Sequence, residues 1–189
     1  HRVRTIALAG SSNREQVQTA LADGIRGQVI WWITDPFRDH EEGVTRRFGD
    51  LPQRVRSVGE YHSERDRLLR ARFGEMRDHA VWLLGGVCAI PDWVAREFPQ
   101  FRVVCPDVCD HLTGRPVPEA LCRVWPYHDC DAGLVALFTQ QEAEQARFRH
   151  RAEHDPHSRE HRYFWPDGRH PNRLGHARIY QELIRPLIG

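Results

Sequence analysis

The sequence predicts an α/β fold in which a parallel sheet is covered by helices on both faces. Short apolar runs alternate with amphipathic helical stretches along the chain. The run at residues 28–34 (QVIWWIT) is apolar on both faces, as a central parallel strand is. Gly or Pro follows the apolar runs closely and punctuates their ends. In such sheets function gathers at the carboxyl ends of the strands.

Taken in order, residues 2–9 read as a strand, with Val3, Ile6, Ala7 and Leu8 apolar, stopping at Gly10 before Ser11, Ser12 and Asn13. A helix comes next: Val17, Ala20, Leu21 and Ile25 share one helical face before Gly24 and Gly27 weaken the pattern. The second strand, 28–34, ends at Asp35-Pro36, and the Trp31-Trp32 pair is expected in the core. A short strand is expected at 54–58, and an amphipathic surface helix at 63–79 carrying Leu68, Leu69, Ala71, Phe73 and Met76. Strands at 80–84 and 101–105 flank a helical turn at 93–98. Residues 106–133 form a long Pro-, Cys- and His-rich excursion, a helix resumes at 134–151, and 153–165 is polar and His-laden. A closing helix at 171–188 has Leu174, Ile179, Tyr180, Leu183, Ile184 and Leu187 as its apolar side.

The 189 residues suit one domain, 1–189, and 40% apolar composition with eight Phe, six Trp and four Tyr is enough to fold it. The longest nearly unbroken apolar run, 80–90, falls well short of the roughly 18 residues a membrane span needs. A formal charge of +1, from 27 basic and 26 acidic residues, implies neither nucleic acid nor anionic lipid as a partner. All 27 basic residues are Arg, which reads as coding bias.

Five cysteines make no pair of C-x-x-C units, so no structural zinc site is expected. Cys88 and Cys105 read as core residues, while Cys109, Cys122 and Cys130 fall in loops where pairing is open. Neither the cysteines nor the opening residues fix a compartment. His150, His154, His157 and His161 have helical spacing, but Asp155-Pro156 breaks the ladder, and a solvated His-rich loop is expected in place of a metal site.

Two local patterns carry chemistry. Asp167-Gly168-Arg169-His170-Pro171-Asn172 places an Asp three residues before a His in a tight turn, so the carboxylate holds one imidazole nitrogen and the other faces outward. The same spacing also makes an ordinary local hydrogen bond. Gly10-Ser11-Ser12-Asn13 puts a serine on a strand-to-helix turn, with its N–H at a helix start where negative charge is favoured. Ser12 and Glu15 equally spell an S-x-x-E capping box.

These two patterns, in this order, resemble the SGNH hydrolases (GDSL esterases and lipases) over nearly the whole chain. The closing DGRHPNRLGH matches the last family block, and Gly10-Ser11-Ser12-Asn13 stands where Gly-Asp-Ser-Leu is usual. The resemblance implies a flavodoxin-like three-layer α/β/α sandwich and a Ser12–His170–Asp167 triad. It places the oxyanion hole at the N–H groups of Ser12 and Gly59, the latter within Ser57-Val58-Gly59-Glu60. In Gly85-Gly86-Val87-Cys88, Val87 takes the place of the family's Asn donor. Losing one such donor typically costs about 3 kcal/mol of transition-state stabilisation, which leaves Asn13, His62 or a group from the long excursion as substitutes.

The activity implied by the resemblance is two-step acyl transfer on a small ester, such as O-acetyl on a carbohydrate or metabolite, with no cofactor and no metal. Trp32, Trp93, Trp125 and Trp165 are candidates to stack on a sugar, each with a buried role as the simpler reading. An acyltransferase and a non-catalytic binding domain of the same fold stay open.

Overall fold

The computed structural model describes residues 11–39, 55–86, 88–116 and 129–188. The expected first strand, Gly10, Arg54, Val87, Cys122 and Trp125 lie outside these residues. The described chain is an α/β structure with a three-stranded parallel sheet in the order β1–β2–β3.

Helix α1 (Asn13–Ala22) leads through Gly24 and Gly27 into β1 (Val29–Ile33). Asp35-Pro36 stops β1 and opens a 3₁₀ turn, Pro36–Asp39. Helix α2 (Val58–Glu75) starts at the point where a strand was expected, because Ser57 Oγ accepts the Glu60 N–H and caps a helix there. β2 (Val81–Gly85), the short α3 (Val94–Glu97) and β3 (Phe101–Cys105) come next, as the sequence predicts.

β1 pairs with β2 from Val29↔Val81 to Ile33↔Gly85, and β2 pairs with β3 from Val81↔Phe101. A bulge between Leu83 and Leu84 brings Leu84 opposite Cys105. The expected excursion holds a helix, α4 (Val108–Thr113), capped by Asp107 through the N–H groups of Cys109 and Asp110. Then come α5 (Ala132–His154), α6 (Arg159–Tyr163), α7 (Arg173–Ile179), a π-helical turn (Tyr180–Ile184) and α8 (Arg185–Ile188).

Side chains alternate across the sheet and so define its layers. Trp31, Ile33, Val81, Leu83 and Phe101 pack with Val17 of α1, Leu69, Phe73 and Met76 of α2, and Val94 of α3. Trp32 and Leu84 face the other way, onto Val108 and Leu112 of α4, Phe148 and Ala152 of α5, Phe164, and Ile179 of α7. Helices therefore cover both faces. A third cluster joins the 3₁₀ turn, the start of α2 and the start of α5 through Phe37, Tyr61, Leu134 and Phe138.

Leu174, expected on the apolar side of the closing helix, is exposed, as are Leu21 and Tyr180. α7 buries Ile179, as expected, together with Gly175, which packs closely against the carbonyl of Tyr163. No helix among the described residues is long and apolar enough to cross a membrane.

Candidate functional site

The closing block folds into a small hairpin that accounts for its residues one by one. Phe164 bridges Pro171 in antiparallel fashion, Trp165 N–H donates to the His170 carbonyl at 2.9 Å, and Gly168 N–H closes a turn onto the Trp165 carbonyl at 2.9 Å. Gly168 adopts φ +65°, and a Cβ there would lie 2.9 Å from the Cα of Arg149 on α5. Glycine is therefore required both by its backbone conformation and by the close approach. Asn172 accepts the N–H groups of Leu174 and Gly175, capping α7, and its amide donates to the carbonyls of Arg162 and Phe164.

Within this frame His170 Nδ1 sits 2.7 Å from Asp167 Oδ2, while Asp167 Oδ1 accepts the N–H groups of Arg169 at 2.8 Å and His170 at 3.1 Å. Burial by itself would raise the Asp167 carboxyl, but the Arg169 N–H, the His170 imidazole and the His170 N–H together hold it below its ordinary value. A carboxylate fixed in this way orients the ring. The His170 side chain is 71% exposed, so its remaining nitrogen is open to solvent.

Behind the hairpin, Gln145 of α5 is buried and donates to the Gly168 carbonyl at 3.3 Å. That carbonyl shares a peptide with the Arg169 N–H that holds Asp167. A support therefore runs from α5 to the imidazole, across a separation of 23 residues that no local pattern reveals.

Ser12 is the N-cap of α1 and is fully buried at 0% exposure. Its Oγ accepts the Glu15 N–H at 3.2 Å and lies 3.2 Å from Glu15 Oε2, while its own N–H donates to Glu15 Oε2 at 2.8 Å. The capping box is complete. Asp39 supplies a second carboxylate, accepting the Arg14 N–H at 2.8 Å.

Asn13 does not offer its amide to an oxyanion. It clamps β1 to α1, donating to the Thr34 carbonyl and accepting the Thr34 N–H, both at 2.9 Å. Gly59 is exposed in the first turn of α2, and His62 lies exposed one turn along, its ring edge-on to Tyr61.

The structure brings Asp167 and His170 together, whereas the Ser12 hydroxyl and N–H both bond to Glu15 on its own helix. Ser12 begins a helix on one face of the sheet. The hairpin belongs with the helices on the other, where His176 of α7 approaches Trp32 near the end of β1 with 6.1 Å between ring centroids. Trp165 is exposed beside His170, whereas Trp93 and Trp31 are buried.

The other titratable groups among the described residues do not form a competing centre. The α5 helix ends at His154, ahead of Asp155-Pro156, as the break predicts, and no group of three metal-ligating side chains occurs among the described residues. Cys88, Cys105, Cys109 and Cys130 form no disulfide among the described residues. Burial pushes the Cys109 thiol far up, with Asp107 and Asp110 adding to the effect, so it stays protonated and is a poor nucleophile. Comparisons with protein-family models, with curated proteins and with solved structures gave no match.

Proposed function

We propose that the chain is an acyl hydrolase of the SGNH type, with His170 as general base, Asp167 as its orienting carboxylate and Ser12 as nucleophile. The observation that carries this reading is the Nδ1–Oδ2 contact of 2.7 Å, with Asp167 held by two backbone N–H groups and the opposite ring nitrogen left to solvent. In the reaction, Ser12 Oγ attacks an ester carbonyl and His170 takes its proton. Collapse of the tetrahedral adduct, with that proton passed to the leaving alkoxide, gives an acyl-serine and free alcohol. Water then attacks the acyl-serine with His170 taking its proton, and collapse breaks the acyl–Oγ bond, returns that proton to Ser12 and releases the carboxylic acid. The Ser12 and Gly59 N–H groups are the oxyanion donors of this reading. Small esters, O-acetyl groups on carbohydrates or metabolites among them, are its substrates, and an alcohol in place of water would make the protein an acyltransferase.

Hydrolysis of short-chain p-nitrophenyl esters tests it. Ser12→Ala and His170→Ala are each expected to lower kcat/KM by about a thousandfold or more. Activity surviving both changes would refute the assignment, and activity surviving Ser12→Ala alone would move the nucleophile to Ser11.

A second reading, a non-catalytic binding domain of the same fold, is favoured by one observation: Ser12 is buried with its N–H on Glu15. A fluorophosphonate probe separates the two, because only an activated serine reacts quickly.

A further inference from the structure

Because α5 ends at His154, just before Asp155-Pro156, two of the four regularly spaced histidines are left on one helical face. His157 and His161 fall beyond the break, and His161 turns back, its Nδ1 3.0 Å from the Ala152 carbonyl oxygen. His150 and His154 stay one turn apart and exposed, with ring centroids 4.8 Å apart and 69° between the ring planes.

That separation is the one a shared ion needs. A metal about 2.0–2.1 Å from one nitrogen of each imidazole lies about 3.2 Å from each ring centroid, so two adjacent ligands at about 90–110° hold their centroids about 4.5–5.2 Å apart. The sequence carries the matching pattern: His150-Arg151-Ala152-Glu153-His154 has the H-x-x-E-H spacing in which two histidines of one helix bind zinc. Glu153 sets a carboxylate beside the pair, with Oε2 3.5 Å from His154 Nε2, and offsets the charge of Arg147 one turn before His150. Arg151 is directed elsewhere, its Nε 3.0 Å from Oε1 of the buried Glu160.

We propose that His150 and His154 form a two-imidazole clamp for Zn²⁺, with Glu153 lending negative charge and water completing the coordination. The donors select the ion. Imidazole nitrogen suits zinc and copper, with Cu²⁺ the tighter binder, whereas Mg²⁺ and Ca²⁺ take oxygen ligands. Bridging His150 to His154 locks the last turn of α5, from which Arg151 reaches Glu160 and the Ala152 carbonyl meets His161, so the ion braces the junction of α5 with α6. The clamp stands whether or not Ser12 is a nucleophile.

The test is isothermal titration of the tag-free full chain with Zn²⁺ at pH 7.5, in wild type, His150→Ala and His154→Ala, together with electron paramagnetic resonance of one equivalent of Cu²⁺ to count the bound nitrogens. Both positions lie on exposed helix surface, where alanine is the better helix former, so the variants keep the fold, and circular dichroism verifies it. Wild type should bind Zn²⁺ in the presence of excess Mg²⁺, each substitution should weaken that binding by about tenfold or more, and the Cu²⁺ spectrum should show two imidazole nitrogens in wild type and fewer in each variant. Zn²⁺ affinity unchanged in both variants puts the ion on other histidines and overturns the clamp. Weakening in only one variant makes a single imidazole the ligand and overturns it too. Absence of saturable Zn²⁺ binding in wild type, or its displacement by Mg²⁺, does the same.

Discussion

Neutralising Asp39 should stabilise the protein above pH 6 and leave it unchanged near pH 4. The Asp39 side chain is 2% exposed, and burial pushes its carboxyl from 3.8 up to about 6. The Arg14 N–H at 2.8 Å and the Arg72 guanidinium pull the other way, against Glu75, and do not make up the difference. Arg72 Nε lies 3.4 Å from Asp39 Oδ2 without an aligned hydrogen bond, so both atoms are buried with attraction but no directed contact.

A carboxyl whose folded value lies above its unfolded value binds its proton more tightly in the folded state. Its stabilising contribution is complete below pH 3.8 and is lost as pH rises through about 6. The interval is roughly two pH units, and at about 1.4 kcal/mol per unit the charged state costs about 3 kcal/mol.

Asp39→Asn keeps the shape and the acceptor for Arg14 N–H and removes the charge. Urea unfolding at pH 4.0, 6.0 and 7.5 is the assay. With a slope of about 2 kcal/mol per molar, the midpoint of Asp39→Asn should exceed that of wild type by of order 1 M at pH 7.5 and converge with it at pH 4.0. A variant less stable than wild type at pH 7.5, or displaced equally at all three pH values, would show that the Arg72 contact outweighs burial and refute the reasoning.

Two further substitutions test the packing that supports the hairpin. Glu160 of α6 is fully buried, with Arg115 and Arg151 (at 3.0 Å) both on Oε1 and Oε2 lacking a hydrogen-bond partner among the described residues. Arg151→Met leaves that buried anion with one guanidinium and should cost about 3 kcal/mol in urea unfolding, whereas Glu160→Gln leaves two partly exposed arginines that water can reach and should cost less; the reverse order counts against this account. Gly168→Ala combines φ +65° with a Cβ 2.6 Å from Arg149 Cγ and 2.9 Å from Arg149 Cα, and should cost roughly 2 kcal/mol while displacing Asp167 from His170. Thermal unfolding within about 1 °C of wild type, well inside the several degrees such a loss implies, would contradict it.

What the sequence determined by itself is whatever depends on a few bonds of chain. Ser12-x-x-Glu15, Asp167-x-x-His170 and the break at Asp155-Pro156 all formed as their spacing implies, because a residue three positions away in a turn is within reach whatever the rest of the molecule does. The β1, β2 and β3 strands were equally legible, since a run apolar on both faces finds its burial only inside a covered sheet. At 55–58 the expected strand gave way to the start of α2, capped by Ser57.

Tertiary structure decided the rest. It left Leu174 exposed while packing Gly175 against Tyr163, brought Gln145 behind the hairpin, and set Asp39 on the start of α1. It also placed the helix that Ser12 begins and the hairpin that carries His170 with the layers on opposite faces of the sheet. Hydrogen bonds between residues three apart are fixed by backbone geometry, whereas a meeting of residues 12 and 170 depends on how whole layers pack, and no spacing in the chain encodes that distance.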